Sequence, residues 1–338
     1  LLAVPVIAAL ALATWTWNSK TGQDWLLGKL LDLGMQQPSP MTEFDGLKVF
    51  LCGTSSPLPA PNRAQACVAI LAGDSIYLVD AGTGSAQTLV LGRVPMERVE
   101  AVLLTHFHSD HISALPEINL NSWVAGRPSP LTVIGPEGVV GIVDGFNNTY
   151  ELDRGYRVAH HGADLLPAEL GLLEAREIEA EGTFNLGEMT VSSFPVNHHP
   201  IHPAIGYRFD FRGRSVVVSG DATVTPRLIQ AAGGADLLIQ DALSQPIIAA
   251  LEKASAGTRL EKIFSDIQDY HAHTSELPDL VEQSEVQQLA LYHLGPPPQN
   301  ALFEKIFKRD LPPGTILTED GMMFELPAGS DEITRIDP

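Results

Sequence analysis

Thr105-His106-Phe107-His108-Ser109-Asp110-His111 follows the apolar run Val99–Leu104 and places four metal-ligating side chains within six residues. Side chains alternate along a strand, so His106 and His108 at its end point the same way and can share one cation. Where the chain turns onward, Asp110 and His111 can reach a second cation close by. Imidazole with carboxylate suits zinc, and also iron or manganese.

Working outward, LKVFLCG, ACVAILAG and SIYLVDAG read as short strands closed by glycine or aspartate, and VEAVLLT leads into the histidines. LTVIGP reads as a further strand, and helices are predicted over Ser85–Leu91 and Gly138–Asn147. The second half repeats the alternation, with strands in MTVSSFPV, AIGYRFDF, SVVVSGD, ADLLIQD and QLALYHL. Helices are predicted there over Thr225–Ala232, Ser275–Ser284 and Asn300–Phe307. Two halves of this kind predict an α/β fold of sheet packed on sheet, with helices on both outer faces and functional loops along one edge.

The His106-x-His108-x-Asp110-His111 pattern resembles the defining motif of the metallo-β-lactamase superfamily, and other motifs follow in family order. Asp80 in LVDAGTG resembles the upstream aspartate that orients ligands through hydrogen bonds. His198 resembles the third histidine of the first metal site, Asp221 in Ser219-Gly220-Asp221 the bridging carboxylate, and His293 the last ligand of the second site. CGTSSPLPAPNRAQAC, His198-His199-Pro200-Ile201-His202 and Asp269-Tyr270-His271-Ala272-His273 resemble the tRNase Z-like and arylsulfatase-type branch. The resemblance runs from Lys48 to Pro298. It implies a four-layer αββα sandwich and two divalent metal ions, zinc foremost, with manganese or iron(II) also compatible. The implied metal ligands are His106, His108, Asp110, His111, His198, Asp221 and His293.

The implied chemistry is hydrolysis by a metal-bound hydroxide, with Asp110 orienting the nucleophile. His271 or His273 would donate a hydrogen bond to the developing charge or a proton to the leaving group. A phosphodiester or sulfate ester is the expected substrate. The same hydroxide would also suit a lactam, lactone or thioester, and a non-catalytic membrane-attached binding protein is the remaining reading. The tRNase Z type carries a His-Glu pair where this chain has Gln240-Asp241, and a long basic arm where it has GFNNTYELDRGYRVAHHG.

The chain has 338 residues, 44% hydrophobic and 18% charged, which is a globular profile. Its 41 acidic against 21 basic residues give a net charge of −20, a field that repels phosphate backbones. Leu1–Ser19 carries no charge and would span ~28 Å as a helix, with Trp15 and Trp17 before Lys20 where a membrane interface would hold them. Asp24–Gln37 repeats apolar residues at helical spacing and reads as an amphipathic helix. Residues 1–40 are therefore expected to be a signal or anchor plus that helix, and residues 41–338 the catalytic domain. The expected location is exported, periplasmic or membrane-anchored, with a small-molecule or ester substrate and tRNA argued against. A homodimer stays open. Cys52 and Cys67 are either two buried small hydrophobes or a pair bridging adjacent strands.

Overall fold

The computed structural model describes residues 12–35, 37–58 and 60–338. It divides into two compact units, Leu1–Pro40 and Met41–Pro338. In the first, a helix spans Lys20–Met35. Trp25, Leu27, Leu30, Leu31 and Leu33 are exposed on it. Leu1–Ala11, most of the run read as a signal or anchor, lies outside the described residues. Among the described residues no helix is long and apolar enough to cross a membrane.

The second unit is built on two sheets. Strands β1 (Phe44–Gly53), β2 (Cys67–Gly73), β3 (Ser75–Val79), β4 (Val99–Leu103), β5 (Leu131–Gly135) and β6 (Leu173–Glu177) belong to the first. The second comprises β7 (Gly182–Leu186), β8 (Met189–Pro195), β9 (Ile205–Phe211), β10 (Arg214–Val218), β11 (Leu237–Leu243), β12 (Gln288–Gly295) and β13 (Ile316–Leu317). The chain then returns through β14 (Met323–Pro327) and β15 (Thr334–Ile336), giving orders β15-β14-β1-β2-β3-β4-β5-β6 and β13-β12-β11-β10-β9-β8-β7.

The central strands are apolar on both faces because both faces are covered. Leu47, Val49, Val68, Ile70 and Leu103 of the first sheet meet Val191, Phe209, Val216, Ile239 and Tyr292 of the second, forming the inner core. On the outer face of the first sheet, Ala69, Leu71, Leu78 and Val102 pack against helical Leu89, Leu115, Ile118 and Val143. Leu238 and Leu291 do the same for the second sheet against Leu228, Leu277, Leu280 and Phe307. The four-layer αββα sandwich expected from the sequence is thus present.

Cys52 and Cys67 form a disulfide between β1 and β2, with Cα atoms 4.9 Å apart, so the strand-bridging alternative holds. The pairing falls where the β1–β2 register shifts between Leu51 and Gly53. Edge strands β6 and β7 were not apparent in the sequence. LEARE and GTFNL are short edge strands with almost no fully buried residue, which leaves them a weak apolar signal.

Candidate metal centre

Each candidate ligand stands just beyond a strand or at a strand irregularity along one edge of the sandwich. His106 and His108 follow β4, and Asp110 and His111 lie on a one-turn helix, Ser109–Ile112. His198 follows β8, and Asp221 follows β10. Gly220 before it has φ 64°, and a Cβ there would meet Thr105 Cβ at 2.9 Å, so only glycine lets the turn close. His293 lies within β12 at a bulge. The register passes from Asp241↔Tyr292 to Ala242↔Leu294, leaving His293 as the extra residue, with φ 44°. A bulge re-aims a side chain, and here it turns His293 toward the other ligands.

Hydrogen bonds fix which ring nitrogen of three histidines faces inward. Thr105 Oγ1 donates to Asp80 and therefore accepts from His106 Nδ1 at 3.1 Å. His111 Nδ1 donates to Asp80 Oδ2 at 2.8 Å, and His198 Nδ1 donates to the Tyr270 carbonyl at 3.0 Å. In each ring this leaves Nε2 turned to the other side, toward the cluster. His106 Nε2 lies 3.0 Å from His108 Nδ1, and His198 Nε2 lies 3.4 Å from that atom. Asp221 Oδ2 stands 3.9 Å from His106 Nε2 and 3.8 Å from His198 Nε2. Its Oδ1 stands 3.3 Å from His111 Nε2, so one carboxylate faces two groups of ligands. His293 Nε2 completes the second group, 3.1 Å from Asp110 Oδ2 and 3.4 Å from Asp221 Oδ2.

These separations suit cations. Tetrahedral zinc with metal–nitrogen bonds of ~2.0–2.1 Å sets its ligand atoms ~3.3 Å apart. Buried His111 Nε2 and Asp221 Oδ1 have no hydrogen-bond partner, which is costly unless something else satisfies them. His106, His108, His198 and Asp221 form one potential ligand set, and Asp110, His111 and His293 another.

Electrostatics separate the two sets. Burial depresses His106 and His108 and pushes His198 down to about 4, favouring neutral rings with available lone pairs. Burial would also depress His111, but Asp221, Asp80 and Asp110 outweigh it and raise the ring well above its ordinary range. His293 is raised the same way, against burial, by Asp221 and Asp110. Burial opposes ionisation of Asp221, yet His293 and His111 hold it well below the usual carboxylate range.

His271 and His273, both named from the sequence, part company. His271 is brought to the cluster, its ring 5.3 Å from those of His198 and His293. Its Nδ1 donates to Asp241 Oδ2 at 2.9 Å. Asp241 is buried, and burial raises its carboxyl against the opposing bond from His271. His273 is not brought in, because its Nε2 donates to the Gln268 carbonyl at 2.8 Å. Three features were not read from the sequence: Thr105 relaying Asp80 to His106, Tyr270 fixing His198, and the cavity described below. Thr105, beside His106, and Tyr270, beside His271, both lie in quoted motifs, which is the one signal the sequence offered.

Comparison with known proteins places the fold in a family. Residues 76–294 match the family model described as the beta-lactamase superfamily domain. Ribonuclease Z of Mycobacterium bovis BCG Pasteur is 34% identical over 253 residues, covering 74% of this chain and 86% of that protein. Ribonuclease Z of Mycobacterium tuberculosis H37Rv is 32% identical over the same length. The fold also matches human tRNase Z, short form, with TM-score 0.58, 21% identity, and coverage of 83% of this chain and 99% of that one. The metallo-β-lactamase fold protein YhfI of Bacillus subtilis matches with TM-score 0.60, 19% identity, and coverage of 82% and 99%. The chain belongs to the beta-lactamase superfamily, in its tRNase Z-like branch, and has the fold of a metal-dependent hydrolase.

Two expectations are corrected by these relatives. Likeness to ribonucleases Z overturns the argument against tRNA. The net charge of −20 sums over the whole surface, whereas phosphate recognition is set by local groups that a residue count misses. The exported or membrane-anchored location is overturned by the same relatives, as is membrane association.

Proposed function

We propose that this chain is a binuclear metal-dependent phosphodiesterase acting on RNA, with tRNA foremost. The observation carrying the reading is the buried convergence of imidazole lone pairs and two carboxylates, Asp110 and Asp221, at ligand-like separations. His106, His108 and His198 would hold one cation, and Asp110, His111 and His293 the other, with Asp221 between them. Bound there, two divalent cations supply Lewis acidity, acidifying a water and neutralising charge on a phosphoryl oxygen.

The remaining roles belong to the chain's own residues. Asp80 locks His111 and, through Thr105, His106 in the ligating tautomer, so no ring reorients as substrate arrives. Asp241 accepts from His271 Nδ1 and so holds that ring beside the cluster. From there His271 would hand a proton to the leaving ester oxygen. Likeness to the ribonucleases Z supports a phosphodiester over a sulfate ester.

The test is turnover of a tRNA precursor and of bis(p-nitrophenyl) phosphate by zinc- and manganese-loaded protein, with aryl sulfates and lactones alongside. Phosphodiester cleavage that a chelator abolishes and added metal restores is expected. Cleavage of sulfates or lactones alone would replace the proposal.

A further inference from the structure

Beside the ligand cluster lies a cavity of about 220 Å³. Its floor includes His108, Asp221, His271 and His293, while Leu58, Leu243, Ile263, Ile267 and Tyr270 form its walls. The walls come from separate parts of the chain. Leu58 lies in the loop after β1, and Leu243 ends β11. Ile263 sits on the helix Arg259–Asp266 and Ile267 in the 3-10 turn after it, one helical turn apart on the same face. Phe264 between them is buried against Leu243 and Ile248 and anchors that helix, while Ile263 is left 49% exposed at the wall.

Among the described residues the lining contains no lysine or arginine, so side-chain cations do not hold a ligand's body there. Ser56 also lines the cavity, and its buried Oγ has no hydrogen-bond partner. Ligand pockets combine apolar walls with a few polar groups, and this one sets branched apolar walls over a floor of imidazoles and a carboxylate. An apolar cavity of ~150 Å³ suffices to hold benzene, so there is room here for a substituted ring.

We infer that this cavity binds a flat ring on the ester group next to the scissile phosphate, with Leu58, Ile263 and Ile267 as specificity-determining residues. The inference rests on the phosphodiesterase reading for the placement of phosphate on the floor. The ring could be a nucleobase or a plain aryl group, two sources of the same chemistry. A ring slotted between Tyr270 and the branched walls leaves water, whereas a methyl ester fills little of the space.

Two readouts test it on the full chain. In the first, which needs neither metal nor turnover, phenol is titrated into metal-free protein carrying 13C-labelled Leu and Ile methyls. Ring-induced shifts confined to Leu58, Ile263, Ile267 and their neighbours are expected, and shifts scattered over the surface or absent overturn the inference. In the second, inhibition of the metal-loaded protein is compared for phenylphosphonate, uridine 5′-phosphate and methylphosphonate. At least one ring compound should bind ~10- to 100-fold tighter than the methyl compound, and which one does so identifies the ring.

Ile263→Trp fills the cavity and Ile263→Asn makes its wall polar, and each should erase that preference. Ile263 is half-exposed, so both variants should fold, and Leu58→Ser provides a second, independent wall. Equal affinity for methyl and ring compounds in a protein that cleaves phosphodiesters sinks the cavity assignment alone. Absence of any phosphodiester cleavage, with the phenol shifts present, sinks the functional reading and leaves the ring site standing.

Discussion

Asp80 Oδ2 lies 2.8 Å from His111 Nδ1, and the same buried carboxylate accepts from the backbone N–H and hydroxyl of Thr105. Asp80 itself sits at φ 62°, a strained conformation for a residue with a Cβ, so the surrounding structure maintains it at this position. Replacing it with alanine frees His111 to rotate and removes the acceptor that fixes Thr105. Asp80→Ala should weaken metal binding ~10- to 100-fold, read by competition against a chromogenic chelator. Unchanged affinity would mean that the ligands need no such support.

His271 and His273 should separate cleanly under mutation. His271→Ala should lower kcat ~10²- to 10⁴-fold with metal content unchanged, because it removes a proton donor beside the cluster and leaves the ligands in place. His273→Ala loses a bond to the Gln268 carbonyl. It should lower stability by ~1 kcal/mol and leave turnover within a few-fold. The reverse pattern in single-turnover assays would exchange their roles.

For His198, burial lowers the folded-state value to about 4 from 6.5. The neutral ring is therefore the form the fold favours. Its contribution to the metal-free protein is present above about pH 6.5 and is lost as pH falls toward 4. The stability difference between wild type and His198→Gln, measured by urea unfolding with metal removed, should shift against wild type over that interval. An advantage that grows on acidification would reverse the assignment.

The Cys52–Cys67 bridge closes a loop of 15 residues that contains the cavity-wall segment Ser56–Leu58. Constraining the unfolded chain over that length is worth ~3 kcal/mol in the chain-entropy model. Reduction, or Cys52→Ser with Cys67→Ser, should lower the urea midpoint accordingly while metal stoichiometry stays the same. No change on reduction would place the stabilisation elsewhere.

The site was legible because its chemistry is concentrated in rare residue types at fixed offsets. His106 to His111 lie within one short segment, and Asp80, His198, Asp221 and His293 each end or interrupt a readable strand. The sequence could not show that a bulge turns His293 inward, since its alternation looks like any buried strand. It left His271 and His273 unresolved because both lie in one irregular loop, and only tertiary bonds to Asp241 and Gln268 tell them apart. Helices Glu151–His161 and Arg259–Asp266 were missed because they are largely polar and exposed. Net charge was a poor guide to tRNA for a different reason: a total says little about one edge of a molecule.

The candidate ligands are drawn from both leaves of the sandwich: His106, His108, Asp110 and His111 come from the first, His198, Asp221 and His293 from the second. A cation lodged among them is therefore a clasp as well as a reagent. The leaves cannot part without surrendering it, and whatever loosens their seam, heat or a mutation in the inner core, also disarms the chemistry.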